Sequence, residues 1–315
     1  MSTNLTSTPY DDVFRTLLND CRSLIIPLIN EIFGEHYCGT EEIIFAPNEH
    51  FINRQDGIEE ERITDTSFQI LGDTPKKYHL ECQSNADNSM LIRFFEYDTQ
   101  IALDEGEIHG DILTVTLPHS AVLFLRHSAA TPEQLKIRMV TPGGTVEYDI
   151  LTVKSQQYKL DVIFEKNLLF LIPFYIFSHE SRFGEYEKDS LKLQELQKEY
   201  GIIKNKLEEL LNRGMISEYT KRTIIEMSNK VVEHIAIKYN AVREGVKSVM
   251  GGKILEYEAK TIRSEGVKAG IKSGMEAGIR GTVSILKNLG IPTQTILQKI
   301  QEQYNLSAED SKEYL

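Results

Sequence analysis

The stretch from residue 62 to residue 97 constrains the fold more than any other part of the chain. It contains two β-like segments, residues 63–71 and 77–83, joined by a polar loop with a proline. Side chains two residues apart on a strand lie on one face, so Glu81 and Gln83 are expected to project together. The two segments are predicted to pair as a hairpin within one sheet.

The same hairpin predicts a pair of carboxylates. Asp65 lies in the first segment and Glu81 in the second, and pairing of the strands would let both reach the face that carries Gln83. Two carboxylates and an amide at the end of a sheet offer the oxygen ligands that a hard divalent cation prefers. The alternative is an ordinary solvated sheet face. Glu81 lies in a run otherwise suited to burial, which favours the metal site.

A helix is predicted for residues 88–105, directly after the hairpin. Its apolar residues recur at three- and four-residue steps, as on the buried side of an amphipathic helix. Arg93 and Tyr97 are four residues apart and therefore share one face. We expect this face to meet phosphate groups beside Glu81.

These residues resemble the core motif of the PD-(D/E)xK nuclease superfamily, an Asp, a hairpin and then Glu-x-Lys. Asp65 stands at the Asp, and Glu81-Cys82-Gln83 stands at the Glu-x-Lys, with Gln in place of the usual Lys. This variant, followed by Arg-x-x-x-Tyr, resembles the bacterial Rpn family of recombination-promoting nucleases and putative transposases. The resemblance covers residues 9–180, including Asp12-Val13-Phe14-Arg15 and the apolar run at residues 168–175.

The resemblance implies an α/β fold with a restriction-endonuclease-like mixed sheet flanked by helices. It also implies metal-dependent hydrolysis of phosphodiester bonds in DNA, linked to recombination or transposition. Asp65, Glu81 and the backbone carbonyl of Cys82 would bind Mg²⁺ or Mn²⁺, which would polarise the scissile phosphate and lower the pKa of the attacking water. Gln83 would position that water or a phosphate oxygen, although an amide carries no charge.

The resemblance implies further residues around this centre. Those expected to contact DNA phosphates are Arg93, Tyr97 and Arg15. Asp12 would be an orienting acid on the first helix, and its alternative role is that of an N-terminal carboxylate favoured by the helix dipole. Apart from the resemblance, Glu49 and His50 are candidates to support the site because of their place on a predicted loop; the alternative is that these polar loop residues have no such role. The acidic residues 59–61 are predicted to form a solvated turn.

Composition limits the classes of function. The chain has 35 Lys and Arg against 47 Asp and Glu, a net charge of -12, which argues against a simple nucleic-acid coat because phosphate binding needs local positive charge. The three cysteines lack the spacing of a zinc site and predict reduced thiols in a cytoplasmic protein. The apolar run at residues 168–177 is too short to cross a bilayer, so no membrane partner is expected.

The two ends of the chain are predicted to be mostly helical, with further β segments between them. Residues 10–33 form an amphipathic segment that Pro27 is expected to break. Two β-rich runs are predicted at residues 113–125, and a hairpin at residues 135–153. Further on, one helix is predicted to end at Gly214 and another to cover residues 217–249.

A glycine repeat of period four follows, at Gly266, Gly270, Gly274 and Gly278. Each glycine inside a helix costs about 1 kcal/mol, so close helix packing in a homo-oligomer is predicted, with a linker as the alternative.

The last helices carry few basic residues, which favours a packing module over a DNA-binding one. The sequence thus predicts a nuclease-like core at residues 1–180, a helical extension at 181–281 and a helical module at 282–315.

Two functions remain open from the sequence. The first is a Mg²⁺- or Mn²⁺-dependent DNA endonuclease centred on Asp65 and Glu81. The second is a weak or inactive nuclease-fold protein that binds or assembles for a mobile element. The excess of acidic residues favours the binding or assembly protein, whereas the intact pair of Asp65 and Glu81 favours the endonuclease.

Overall fold

A mixed six-stranded sheet lies at the centre of the larger part of the chain. The computed structural model describes residues 9–45, 49–53, 59–63, 67–84, 89–251, 278–283, 286–287, 291–304, 311 and 314. Contacts divide the chain into two units, Met1–Gly252 and Lys253–Leu315, and the sheet belongs to the first. The predicted α/β class, a mixed sheet flanked by helices, is confirmed. The three-part division at residues 180 and 281 stays a prediction.

The elements are numbered in chain order. The described strands are β1 (Glu42–Phe45), β2 (Glu49–Asn53), β3 (Glu59–Ile63), β4 (Ser67–Leu71), β5 (Lys76–Gln83), β6 (Glu107–His109), β7 (Ile112–Thr114), β8 (His119–Phe124), β9 (Gln134–Thr141) and β10 (Gly144–Lys154). The helices with defined ends are α1 (Pro9–Asp20), α2 (Ile25–Phe33), α3 (Met90–Asp104), α4 (Leu160–Glu165), α5 (Phe183–Tyr186), α6 (Ser190–Asn212), α7 (Glu218–Ile235), α8 (Asn240–Met250) and α9 (Thr293–Tyr304). Helices of the 3₁₀ type cover Arg22–Leu24, Ser155–Gln157 and Leu169–Arg182.

The strands of the sheet follow the order β1-β4-β5-β8-β10-β9. β1, β4 and β5 pair antiparallel, whereas β5, β8 and β10 pair parallel, and β9 pairs antiparallel with β10 at the edge. The predicted hairpins are therefore confirmed as β4–β5 and β9–β10. The first strand was predicted from residue 63, but β4 spans Ser67–Leu71, and Ile63 belongs to β3, where it pairs with Glu49 in a separate sheet. Because parallel strands need a long connection, the predicted helix α3 fits the crossover between β5 and β8.

The two faces of the sheet are covered by different helices. On one face, the ring of Tyr78 in β5 lies 5.2 Å from the ring of Phe33 in α2. On the other face, Phe94 of α3 packs in a buried cluster with Val122 of β8 and Ile150 of β10. Side chains alternate along β5, so Glu81 and Gln83 belong to the α3 face and Tyr78 to the α2 face.

Helical elements form the layer on the α2 face. The 3₁₀ helix at residues 169–182 is almost wholly buried, and the ring of its Phe170 lies 5.1 Å from that of Phe14 in α1. α7 packs on both this 3₁₀ helix and α1. The apolar run noted in the sequence is therefore a core element. None of the helices in the described residues has both the length and the apolarity needed to span a lipid bilayer.

Two helical segments break at positions that differ from the predictions. The segment at residues 10–33 breaks after Asp20, not at Pro27, which lies in the first turn of α2, where its missing N–H is not needed. The helix predicted for residues 217–249 is two helices, α7 and α8, because the chain turns back at residues 236–239. Tyr239 anchors that turn with its ring 5.5 Å from Phe183. The predicted end at Gly214 is confirmed, with a φ of 68°.

Two short hairpins, β2–β3 and β6–β7, lie outside the main sheet and differ in part from the predictions. Residues 48–50 were predicted to lie on a loop and residues 59–61 in a turn. Instead, Glu49–Asn53 and Glu59–Ile63 form β2 and β3, which pair antiparallel from Glu49 with Ile63 to Asn53 with Glu59. Backbone pairing in the ladder outweighs the low strand propensity of their acidic residues. The run beginning at residue 113 forms β7, which pairs with β6 outside the main sheet.

The second unit has an apolar core of its own. Ile279 and Val283 of the helical stretch at residues 278–283 are buried against Ile296 and Ile300 of α9. Gly266, Gly270 and Gly274 lie outside the described residues, so the predicted self-association helix stays a prediction.

Candidate active site

Glu81 and Gln83 meet on the α3 face of β5, as the alternation of strand side chains predicts. Gln83 Nε2 donates a hydrogen bond of 3.0 Å to Glu81 Oε2. The Glu81 side chain is 13 % exposed, so its carboxylate lies at the rim of the core with restricted access to water. The predicted co-projection of these two side chains is confirmed.

Arg93 reaches the same carboxylate from α3. Its guanidinium donates to Glu81 Oε2 at 3.3 Å and to Ser89 Oγ at 3.1 Å. The ring of Tyr97 lies 5.9 Å from that of His79, so Arg93 and Tyr97 share the face of α3 that looks onto β5. The predicted common face of these two residues is confirmed. An arginine beside the carboxylate supplies positive charge that Gln83 lacks.

A buried polar network adjoins this cluster, and sequence reasoning missed it. His79 Nδ1 lies 2.7 Å from Asp98 Oδ1, and Ser120 Oγ donates to the same oxygen at 2.7 Å. Tyr148 Oη donates to Asp98 Oδ2 at 3.2 Å. Burial and the charge of Asp98 raise the pKa of Tyr148, so this phenol remains a donor. The network holds a fully buried carboxylate between three partners.

The signal for this network was present in the sequence. Asp98 occupies the buried stripe of α3 with Phe94 and Ile101, at steps of four and three residues. A carboxylate in an apolar stripe is buried only when partners satisfy it. His79 stands two residues before Glu81, so it also belongs to the α3 face of β5.

The two oxygens of Glu81 have different surroundings. Oε2 accepts from Gln83 and Arg93. Among the described residues, no hydrogen bond reaches Oε1, which lies 3.9 Å from His79 Nε2. One carboxylate oxygen is therefore held in place, and the other is left to take a further ligand.

Cys82 faces away from Glu81, as predicted. Burial, with the nearby charges of Asp11 and Glu81, raises the pKa of its thiol well above the usual value. Since the thiolate is the nucleophilic form, this thiol is not suited to nucleophilic chemistry. The role of the Cys82 backbone carbonyl as a metal ligand stays a prediction.

The other predicted site residues are dispersed or not described. Asp12 is exposed on α1 and pairs with Lys230 of α7 at 2.8 Å, which leaves it directed at a neighbouring helix. Arg15 is half-buried on the same helix. Asp65 lies outside the described residues. Glu49 and His50 belong to β2, with side chains that are also outside the description.

A second arginine closes the carboxyl end of β5. Arg126 donates to Glu180 at 2.6 and 2.8 Å and to the backbone carbonyl of Ser84 at 3.1 Å. Its guanidinium lies 4.8 Å from the centre of the Phe177 ring. This clamp ties the end of the strand that bears Glu81 to the 3₁₀ helix, so it fixes the position of the strand.

The donor set can be compared with the needs of a metal ion. In the part of the chain that the structure describes, no group of three or more His, Cys, Asp or Glu side chains is arranged to hold one. Mg²⁺ is commonly held by only one or two protein carboxylates, with waters and substrate phosphates completing its shell. Glu81, with Oε1 unbonded by the described residues, fits such a site if a second carboxylate joins it.

Comparison with known proteins gives no relative, since no protein-family profile, curated protein or solved structure matches this chain.

Proposed function

We propose that this chain is a metal-dependent DNA endonuclease with a PD-(D/E)xK core. The observation that carries the proposal is the convergence of Glu81, Gln83 and Arg93 where β5 meets α3. A carboxylate, a neutral hydrogen-bonding group and a cation at one point are the parts that phosphodiester hydrolysis requires. The mixed sheet flanked by helices agrees with the fold that the resemblance implies.

In this proposal Asp65 is the second carboxylate. The register of the β4–β5 ladder pairs Ser67 with His79. Asp65 precedes Ser67 by two residues, and Glu81 follows His79 by two residues. If the antiparallel ladder extended two residues beyond the pair of Ser67 and His79, Asp65 would lie opposite Glu81.

The residues of the chain would divide the work as follows. Asp65 and Glu81 would hold Mg²⁺ or Mn²⁺, which when bound polarises the scissile phosphate and activates the attacking water. Gln83 would orient that water or a phosphate oxygen through its amide. Arg93 would exchange its bond to Glu81 for one to the phosphate, because a guanidinium binds phosphate with paired N–H groups.

The metal requirement is tested by thermal unfolding of the full chain. Mg²⁺ or Mn²⁺ should raise the unfolding midpoint, because a ligand that binds only the folded state stabilises it by about 2.7 kcal/mol at a hundred times its Kd. The variants Asp65→Asn and Glu81→Gln should remove most of that shift. An equal shift in the wild type and both variants would place the metal elsewhere and contradict the proposed site.

Arg93 gives a separate prediction for DNA binding. Arg93→Ala should weaken binding to duplex DNA and lower the slope of log Kd against log salt by about 1, because one phosphate contact is lost. The matched control is Arg138→Ala, an exposed arginine on the edge strand β9 that pairs with Glu147. Fluorescence anisotropy over a salt series measures both. Equal slopes for wild type and Arg93→Ala would remove Arg93 from the interface.

The alternative is a nuclease-fold protein that binds DNA without cutting it. The observation that favours it is the bond from Arg93 to Glu81, which neutralises the carboxylate without a metal ion. Gln83 in place of a charged lysine points the same way. Salt-dependent DNA binding without metal stabilisation or cutting would support this alternative over the nuclease.

A further inference from the structure

The ring of His79 is fixed in the core by a carboxylate. Its side chain is 1 % exposed, and its Nδ1 lies 2.7 Å from Oδ1 of the fully buried Asp98. The rings of Phe94 and Tyr97 lie 4.9 and 5.9 Å from the imidazole and restrict its rotation. Because an ionised carboxylate only accepts hydrogen bonds, Nδ1 carries the hydrogen in this pair.

The other ring nitrogen is directed towards Glu81. A neutral imidazole with its hydrogen on Nδ1 has its lone pair on Nε2. This Nε2 is buried and has no hydrogen-bond partner among the described residues. It lies 3.9 Å from Glu81 Oε1, the oxygen that neither Gln83 nor Arg93 contacts. In this tautomer, with Asp98 ionised, two acceptors face each other, and no hydrogen-bond donor from the described residues reaches Nε2.

A cation placed between the two atoms would accept both lone pairs. Leaving a buried nitrogen unsatisfied costs free energy, which binding of an ion at this position would recover. Neighbouring ligands with bonds of about 2.1 Å to one ion stand about 3.0–3.4 Å apart in octahedral or tetrahedral geometry, so the separation of 3.9 Å would shorten by about 0.5–0.9 Å on binding. The hydrogen bond from Arg93 goes to the other oxygen, Oε2.

We propose that His79 Nε2 and Glu81 Oε1 together bind a first-row transition-metal ion such as Mn²⁺, with Asp98 as the partner that orients the imidazole. The inference rests on the proposed function in taking Glu81 as a metal ligand and adds a nitrogen ligand that the sequence did not suggest. A carboxylate that accepts the second ring hydrogen of a metal-binding histidine is a general feature of such sites.

The nitrogen ligand sets the preference among metals. Imidazole suits transition metals, whereas Mg²⁺ prefers oxygen ligands, so the wild type should bind Mn²⁺ more tightly than Mg²⁺. Two carboxylates alone would give a smaller difference between the two ions. The ratio of the two dissociation constants therefore reports on His79 and is insensitive to a purely structural role.

The experiment measures binding of Mn²⁺ and of Mg²⁺ to the full chain by isothermal titration calorimetry. The key variant is His79→Asn, because an Asn amide lies near the position of Nδ1 and keeps a donor for Asp98 while it removes Nε2. We expect Mn²⁺ affinity to fall by about tenfold or more, as is usual when such a site loses a partner. Mg²⁺ affinity should change much less, so the ratio should collapse. His79→Gln, whose amide lies near Nε2, should restore part of the Mn²⁺ affinity.

A spectroscopic measurement on the wild type keeps the test independent of variant folding. Pulsed electron paramagnetic resonance of bound Mn²⁺ should show a coupling to ¹⁵N in protein labelled at histidine. Absence of this coupling, or an unchanged affinity ratio in a folded His79→Asn, would overturn the inference.

Plasmid nicking in the same samples, with Mg²⁺ and with Mn²⁺, separates the two claims. Nicking that persists without histidine coupling would overturn the role of His79 and leave the proposed nuclease standing. Histidine coupling without nicking would overturn the proposed nuclease and leave the role of His79 standing. Failure of the wild type to bind either ion would overturn both.

Discussion

Replacement of Glu81 by Gln is expected to reduce metal-dependent nicking of supercoiled DNA by about a thousandfold. The amide keeps the shape of the side chain and can still accept from Arg93 through its oxygen, but it loses the charge that holds the metal. Stabilisation of the transition state by a metal is worth several kcal/mol, and about 4 kcal/mol corresponds to roughly a thousandfold in rate. The initial rate of nicked-circle formation measures the effect.

A matched control for this variant is Glu107→Gln. Glu107 is exposed on β6, outside the main sheet. Its replacement by Gln removes the same charge from the chain as Glu81→Gln does. Its nicking rate should stay within about twofold of the wild type, since surface substitutions away from a site have small effects. Equal nicking by the wild type and Glu81→Gln, with both proteins folded, would show that Glu81 takes no part in the reaction.

Asp98→Ala is expected to lower the free energy of unfolding by about 3–5 kcal/mol, the largest effect on stability foreseen for a single residue. Asp98 is fully buried, and its loss leaves His79, Ser120 and Tyr148 without the acceptor they share. Each buried group left unsatisfied costs about 1–3 kcal/mol, and relaxation of the site offsets part of the total. Urea unfolding followed by circular dichroism measures the change.

The control on the same helix is Asp104→Ala. Asp104 is exposed and accepts a hydrogen bond from Gln100, so its removal should change the unfolding free energy by no more than about 0.5 kcal/mol. A similar small loss for Asp98→Ala would mean that the buried network contributes little to the fold. Such a result would also weaken the role assigned to Asp98 beside His79.

Local patterns explain what the sequence predicts well. Alternation along β5 is enough to place Glu81 and Gln83 on one face, and four-residue spacing is enough to pair Arg93 with Tyr97. The hairpin β4–β5 and the helix α3 follow from short-range signals of the same kind. In these elements the local backbone geometry alone sets which side chains share a face, so the prediction does not depend on the rest of the fold.

Long-range contacts explain what the sequence does not predict. The partner of His79 is Asp98, on a helix whose rotation and depth over the sheet depend on packing against Val122 and Ile150. Spacing within each segment indicates that Asp98 is buried on α3 and that His79 lies on the α3 face of β5, but it does not show that the two side chains meet. Acid-rich β2 and β3 form a ladder despite their composition because pairing satisfies backbone groups that neither segment satisfies alone.

The central claim is that Asp65 and Glu81 form a metal-dependent catalytic pair. Its most direct test is the time course of nicking of supercoiled plasmid by the wild type and by Asp65→Asn, with Mg²⁺, with Mn²⁺ and with a chelator. We predict nicking by the wild type that requires either metal and is lost in the variant. Absence of nicking by the wild type over a broad range of metal and pH, or equal nicking by both proteins, would contradict the account.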